Sequence, residues 1–138
     1  MLLRKLALAV TLAAAWTIGS AQAQEKAAPQ TAPYVHVVIF HLKKDAPSGT
    51  AEALIADAFD ILAKIPSVRG IQAGKPADKA TPDFAKKDYQ VGLLVLFDNY
   101  EGLETYLKHA LHDKYVQKHG KHIEETKLQV YDFSNPKK

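Results

Sequence analysis

Two hydrophobic rhythms alternate between Tyr34 and Phe133. Residues 34–42 follow a two-residue period, with Val35, Val37 and Ile39 on one side and His36, Val38, Phe40 and Leu42 on the other. That is the period of a β-strand. Both faces are mostly apolar, interrupted by His36 on one and by His41 near the exit on the other. After the turn residues Asp45-Ala-Pro-Ser-Gly, residues 51–65 change to a helical period. Leu54, Ile55, Ala58, Phe59, Leu62 and Ile65 recur at spacings of one, three and four and predict one apolar stripe. Ser48 or Thr50 is placed to cap this helix, Glu52 puts negative charge near its start, and Pro66 stops it.

Residues 70–76 predict a second, weaker strand, with Gly74 and Pro76 marking an edge or a bulge. Residues 77–87 are polar and read as a solvated loop. Residues 88–97 predict a third strand, Val91 to Phe97 being apolar throughout. Such a strand must be covered on both sides, and Gly92 inside it suggests close approach by a neighbour. Asp98 or Asn99 caps a second helix running to about Lys108, with Leu103 and Leu107 inward and Tyr100 and Tyr106 flanking. From His109 the helix either continues or bends near Ala110 and restarts, with Gly120 as an end. A last strand lies within residues 123–133, carrying Leu128, Val130, Tyr131 and Phe133.

The order β-α-β, loop, β-α-β is the split βαβ pattern, a ferredoxin-like α+β fold. Right-handed crossovers place the helices on one face of a four-stranded antiparallel sheet. The other face of strands one and three would then be exposed and apolar, a patch too large for a soluble monomer. Its burial at about 25 cal/mol per Å2 is worth several kcal/mol. Alternation alone therefore predicts a homodimer that packs sheet against sheet into a barrel-like unit.

The N-terminus changes the picture of where the domain works. Arg4 and Lys5 precede an apolar run from Leu6 to Ile18, and Ala21-Gln22-Ala23 is a small-x-small sequence. Residues 1–23 read as a signal peptide cleaved after Ala23, which makes the protein exported, to the periplasm or beyond. The apolar run is too short for a comfortable span, so no membrane attachment is expected after cleavage. Residues 24–33 read as a disordered linker, residues 34–133 as one domain and residues 134–138 as a frayed tail. The chain has no cysteine, so packing alone must stabilise it. Arg4 and Lys5 account for two of its 18 basic residues; the rest balance the 15 acidic ones to within one charge. Dispersed lysines with acidic neighbours give no reason to expect nucleic acid as a partner.

The combined pattern resembles the stress-responsive A/B barrel (Dabb) family of dimeric α+β barrels. It is carried by His36-Val-Val-Ile-Phe-His-Leu-Lys, Ile65-Pro-Ser-Val, Ala73-Gly-Lys-Pro, residues 89–97, Tyr106-Leu-Lys-His-Ala-Leu-His and Val130-Tyr-Asp-Phe. The resemblance implies the ferredoxin-like fold and the sheet-to-sheet dimer. A few members are enzymes. By similarity to a plant polyketide cyclase of the family, the catalytic Tyr and His fall on Tyr106 and His112, and a further pocket histidine falls on His36. Ala110 stands where that motif has proline, and Val91 where the cyclase has an additional histidine.

Three readings of His36, Tyr106 and His112 compete. In the first, the protein is a structural or interaction dimer without a ligand: His112 ends a helix, Tyr106 packs with its hydroxyl at the rim, and His36 is a hydrogen-bonded core histidine. In the second, the three line a pocket between sheet and helices for a small apolar or aromatic molecule. In the third, Tyr106 and His112 form a proton-transfer pair in a cofactor-independent lyase, cyclase or isomerase. His109-x-x-His112 and His119-x-x-His122 have a spacing that places two imidazoles on one helical face. No carboxylate matches either motif, and the second lies in a Lys-rich segment that reads as solvated. No metal and no cofactor are expected. There is no Gly-rich phosphate loop.

Overall fold

The computed structural model describes residues 32–79 and 83–135. The expected signal peptide, the expected linker up to Thr31 and the last three residues of the expected tail lie outside the described residues. Four strands form one antiparallel sheet: β1 (Tyr34–Phe40), β2 (Gly70–Gly74), β3 (Val91–Phe97) and β4 (Gln129–Ser134). Their order across the sheet is β2-β3-β1-β4. The helices are α1 (Thr50–Asp60), α2 (Tyr100–Leu107) and α3 (Ala110–His119), with short 3-10 turns at Leu62–Lys64, Gly120–His122 and Glu125–Lys127. No helix among the described residues is long and apolar enough to cross a membrane. Two residues before the expected first strand already belong to the fold: Ala32 is buried, and the Pro33 carbonyl accepts a hydrogen bond from the Asn135 amide at 2.7 Å. β4 correspondingly takes in Ser134, which the sequence pattern assigned to the tail.

The two-residue period sorts the strands into two faces. Towards the helices point His36, Val38 and Phe40 of β1 and Val91, Leu93, Val95 and Phe97 of β3, all buried. The register pairs His36 with Val95, Val38 with Leu93 and Phe40 with Val91. On the outer face Val37 sits opposite Leu94, Val35 opposite Leu96, and Tyr131 and Phe133 of β4 flank them. Tyr131 and Phe133 are both more than half exposed. This outer face is the apolar surface that the alternation predicts.

The helical layer departs from the expected stripes at three places. In α1 the buried residues are Thr50, Leu54 and Ala58, followed by Ile61, Leu62 and Ile65, while Phe59 is exposed. The chain tightens into a 3-10 turn after Asp60, which advances the inward-facing positions. Neither Ser48 nor Thr50 caps α1: Gly49 occupies the cap position at φ 85°, a left-handed conformation suited to glycine, and the Thr50 hydroxyl donates to the Pro47 carbonyl. In α2, Asn99 is the cap, its side chain accepting from the Gly102 amide at 2.9 Å. Leu103 and Tyr106 face inward there, and Leu107, expected inside, is largely exposed.

The helices cover β2, β3 and β1 but not β4, every residue of which is exposed. The inner side of β4 is therefore the open wall of a groove between sheet and helices.

Candidate functional site

The groove's polar end depends on a break in the helical layer. α2 stops at Leu107, and His109 takes an extended conformation (φ −80°, ψ 140°). Its ring Nδ1 accepts from the Leu111 amide at 3.1 Å, and its carbonyl accepts from the His112 and Asp113 amides. His109 thus caps α3 in the manner of an N-cap residue, satisfying donors that a helix start leaves open. The restart near Ala110 was one of two outcomes the sequence allowed. His112 consequently lies in the first turn of α3, not at a helix end.

This arrangement brings His36, Tyr106 and His112 together. The Tyr106 ring meets His112 edge to face at 4.8 Å between centroids and His36 at 6.0 Å. Phe97 packs against the other side of Tyr106 at 5.2 Å. The three polar rings line a cavity of about 530 Å3, within the usual range for small-molecule sites. Val38, Leu93 and Val130 form its sheet side, Val116 faces them from α3, and Ile123 and Leu128 close the far end. His109 is absent from that lining.

Each polar group is held in a definite state. His36 is 6% exposed, and its Nδ1 lies 2.6 Å from Oδ1 of Asp132, the residue facing it across β1 and β4. A carboxylate only accepts, so the pair places the proton on Nδ1 and leaves Nε2 as the free ring nitrogen. Tyr106 is 1% exposed. Burial pushes its phenol well above its ordinary value. It therefore stays protonated at neutral pH and can donate a hydrogen bond. Burial pushes His112 down; Asp113 pulls it back up and His36 adds to the lowering, with a net shift below the ordinary value. His112 is thus a neutral imidazole in the first turn of a helix, where the dipole disfavours a cation.

A second histidine pair closes the back of the cavity. His119 is buried, with Nε2 at 2.6 Å from Asp57 Oδ2 of α1, and Lys118 Nζ lies 2.6 Å from the same oxygen. Burial works to raise the Asp57 pKa, but the hydrogen bonds from Lys118 and His119 outweigh it and hold the carboxyl below its ordinary value. Beside it the Tyr115 hydroxyl donates to the Leu54 carbonyl at 3.0 Å. His119 was expected on a solvated segment; its pairing with a carboxylate 62 residues away buries it instead. Among the described residues no group of three or more His, Cys, Asp or Glu is arranged to hold a metal ion. His109 is occupied in capping and His119 in pairing with Asp57.

Asp132, Asp57, His119 and Tyr115 are site residues that the sequence reading missed. Asp132 carried a usable signal: it is the one carboxylate in an otherwise apolar strand, as His36 is a polar interruption in β1. A neutral imidazole against a protonated phenol, backed by a carboxylate-held histidine, can bind a carbonyl or hydroxyl oxygen. The same set can also move a proton next to it.

Comparison with known proteins fits this architecture. Residues 35–135 match the profile of the Stress responsive A/B Barrel Domain, Dabb. The chain belongs to that family. A Dabb protein of ferredoxin-like fold from Mesorhizobium loti is 22% identical, with a TM-score of 0.60 over 78% of this chain and 100% of that one. A dimeric ferredoxin-like protein of unknown function from Thermobifida fusca is 16% identical, with a TM-score of 0.62 over 77% and 93%. The hydroxynitrile lyase from Passiflora edulis is 14% identical, with a TM-score of 0.61 over 78% and 98%. These likenesses establish the ferredoxin-like α+β fold and place dimeric proteins and an enzyme among its neighbours. No curated protein sequence matches the chain.

Proposed function

We propose that this chain is an exported, homodimeric domain that holds a small, largely apolar or aromatic molecule in the groove between its sheet and α3. The observation that carries this reading is the cavity of about 530 Å3 in which Tyr106, His112 and His36 converge and most of the remaining lining is apolar. The ligand's oxygen meets those rings, and its hydrocarbon part lies along Val38, Val116 and Val130. Two copies pair through the outer sheet faces, supported by the exposed Tyr131 and Phe133 and by the dimeric neighbours. Export rests on Arg4, Lys5, the following apolar run and Ala21-Gln22-Ala23. A role in stress protection would follow from holding such a molecule outside the cytoplasm.

The test is calorimetric titration with uncharged aromatic ketones, on the native chain and on Val130→Trp, which fills the groove from an exposed strand position. Binding to the native chain that is lost in the filled variant, with an unchanged circular dichroism spectrum, supports the reading. Equal binding to both would overturn it.

The His36–Asp132 pair favours a second reading, a cofactor-independent enzyme of the lyase, cyclase or isomerase type. The His112 imidazole takes a proton from carbon next to a carbonyl, and the Tyr106 phenol hydrogen-bonds the resulting enolate oxygen. Return of the proton to carbon, or attack of the enolate carbon on a second carbonyl with the proton then passed from His112 to the alkoxide oxygen that forms, completes the turnover. Exchange of α-protons for deuterium in heavy water, followed by NMR and abolished in His112→Ala, would support this. Exchange no faster than in buffer would rule it out for those ketones.

A further inference from the structure

The charges around the groove are one-sided. Its lining holds two carboxylates, Asp132 and Glu125, and no lysine or arginine. Both lie at the open rim, on β4 and on the 3-10 turn before it, where an entering ligand passes them. Asp132 is 37% exposed in its side chain and thus keeps contact with water. Any charge on His36 is matched by Asp132, and that on His119 by Asp57. Lys118 also points to Asp57. The N-terminus of α3 offers no free anion cradle: the His109 ring takes the Leu111 amide, and the His109 carbonyl takes the His112 and Asp113 amides.

The deep end is different in kind. Tyr106 is buried and His112 half-buried, and both present uncharged hydrogen-bonding groups. An anion brought there loses its hydration and meets no lysine or arginine in the lining, which is costly. An anion is additionally repelled at the rim.

We propose, resting on the groove reading above, that Asp132 and Glu125 turn anions away and so favour uncharged ligands, namely ketones, aldehydes, alcohols or phenols on a hydrocarbon body. Carboxylate and phosphate analogues of the same shape are rejected. The device is exclusion of wrong ligands by a charged rim, with the deep polar end supplying the attraction.

The experiment measures binding of matched sets to the purified chain by NMR shifts and calorimetry. The sets are methyl naphthyl ketone, naphthoate and naphthylethylamine; biphenyl methyl ketone and biphenyl carboxylate; methyl octyl ketone and nonanoate. The ketones should bind with shifts in β4 and α3, and each carboxylate at least about tenfold more weakly. The amine is the control for the sign of the effect: its affinity relative to the ketone should fall when both rim carboxylates are replaced by amides. In the double variant Asp132→Asn, Glu125→Gln the ketone–carboxylate difference should shrink to within about threefold, and added salt should narrow it in the native chain. A carboxylate binding as well as its ketone, or a discrimination unchanged in the double variant, overturns the proposal and leaves the groove reading standing. Failure of every ketone to shift groove residues overturns both.

Discussion

The rings of Tyr106 and His112 touch edge to face at 4.8 Å although six residues separate them. On one continuous α-helix, side chains six apart point about 120° away from each other. The contact exists because the helix breaks at His109, whose extended backbone turns α3 back towards the cavity. The break is therefore part of the site. Its stability depends on a histidine that touches no ligand.

Removing that cap should be measurable. His109→Ala should cost about 1 kcal/mol, the usual loss when an N-cap acceptor is deleted, and should weaken ketone binding together with stability. Urea unfolding beside calorimetry checks it. Asn99→Ala, which removes the analogous cap of α2, should cost a similar amount. A stability loss with unchanged binding in His109→Ala would show that α3 keeps its direction without the cap.

The outer sheet face makes a separate prediction. Leu94→Glu places a charge among Val37, Leu96 and the β4 aromatics without touching the cavity. Light scattering at micromolar concentration should return a dimer mass for the native chain and a monomer mass for this variant. A native monomer would sink the dimer.

Acid should destabilise the fold in two stages. The folded-state pKa of His112 lies below its ordinary 6.5, so between those values the unfolded chain binds more protons. Stability is whole above about 6.5 and falls as pH drops through that window. Asp57 is also held low, so its contribution is present above the ordinary carboxylate value and is lost as pH falls through its folded value. Thermal melts from pH 7.5 downwards should show both losses, and His112→Gln should remove the upper one only. An upper loss that persists in His112→Gln would assign it to another group.

Core truncation sets the scale for these effects. Leu54 is fully buried between α1 and the sheet, so Leu54→Ala should cost about 2–5 kcal/mol. Phe59→Ala, at an exposed position of the same helix, should cost under about 1 kcal/mol. Chemical denaturation of the two variants side by side checks the reassigned stripe.

What was legible in the sequence follows from the range of the forces involved. The alternation in β1 and β3 is local, and it carried strand identity, the two-faced sheet and the position of His36. The i, i+4 pair Leu54 and Ala58 likewise carried α1. Phe59 was misplaced because it lies about 100° round the helix from the buried Ala58, off the line that Leu54 and Ala58 define. Asp132 was overlooked because its partner is fixed by strand register, a tertiary property that no local pattern encodes. His119 failed for the same reason, its carboxylate lying on another helix. Tyr106 and His112 were singled out as neighbours along the chain, and the His109 break that makes them neighbours in space was left as one of two alternatives.

β1 carries two independent messages, one on its even-numbered residues and one on its odd-numbered residues. His36 and Val38 furnish the groove while Val35 and Val37 furnish the outer face, and a slip of one residue exchanges the two sets. A single inserted codon there would put a histidine on the outer sheet face and strip the groove of its carboxylate-held ring. Insertions in the polar stretch before Val91 would alter neither set. Lineages of this protein should accordingly vary freely in the length of that connection and hardly at all in the length of the first strand.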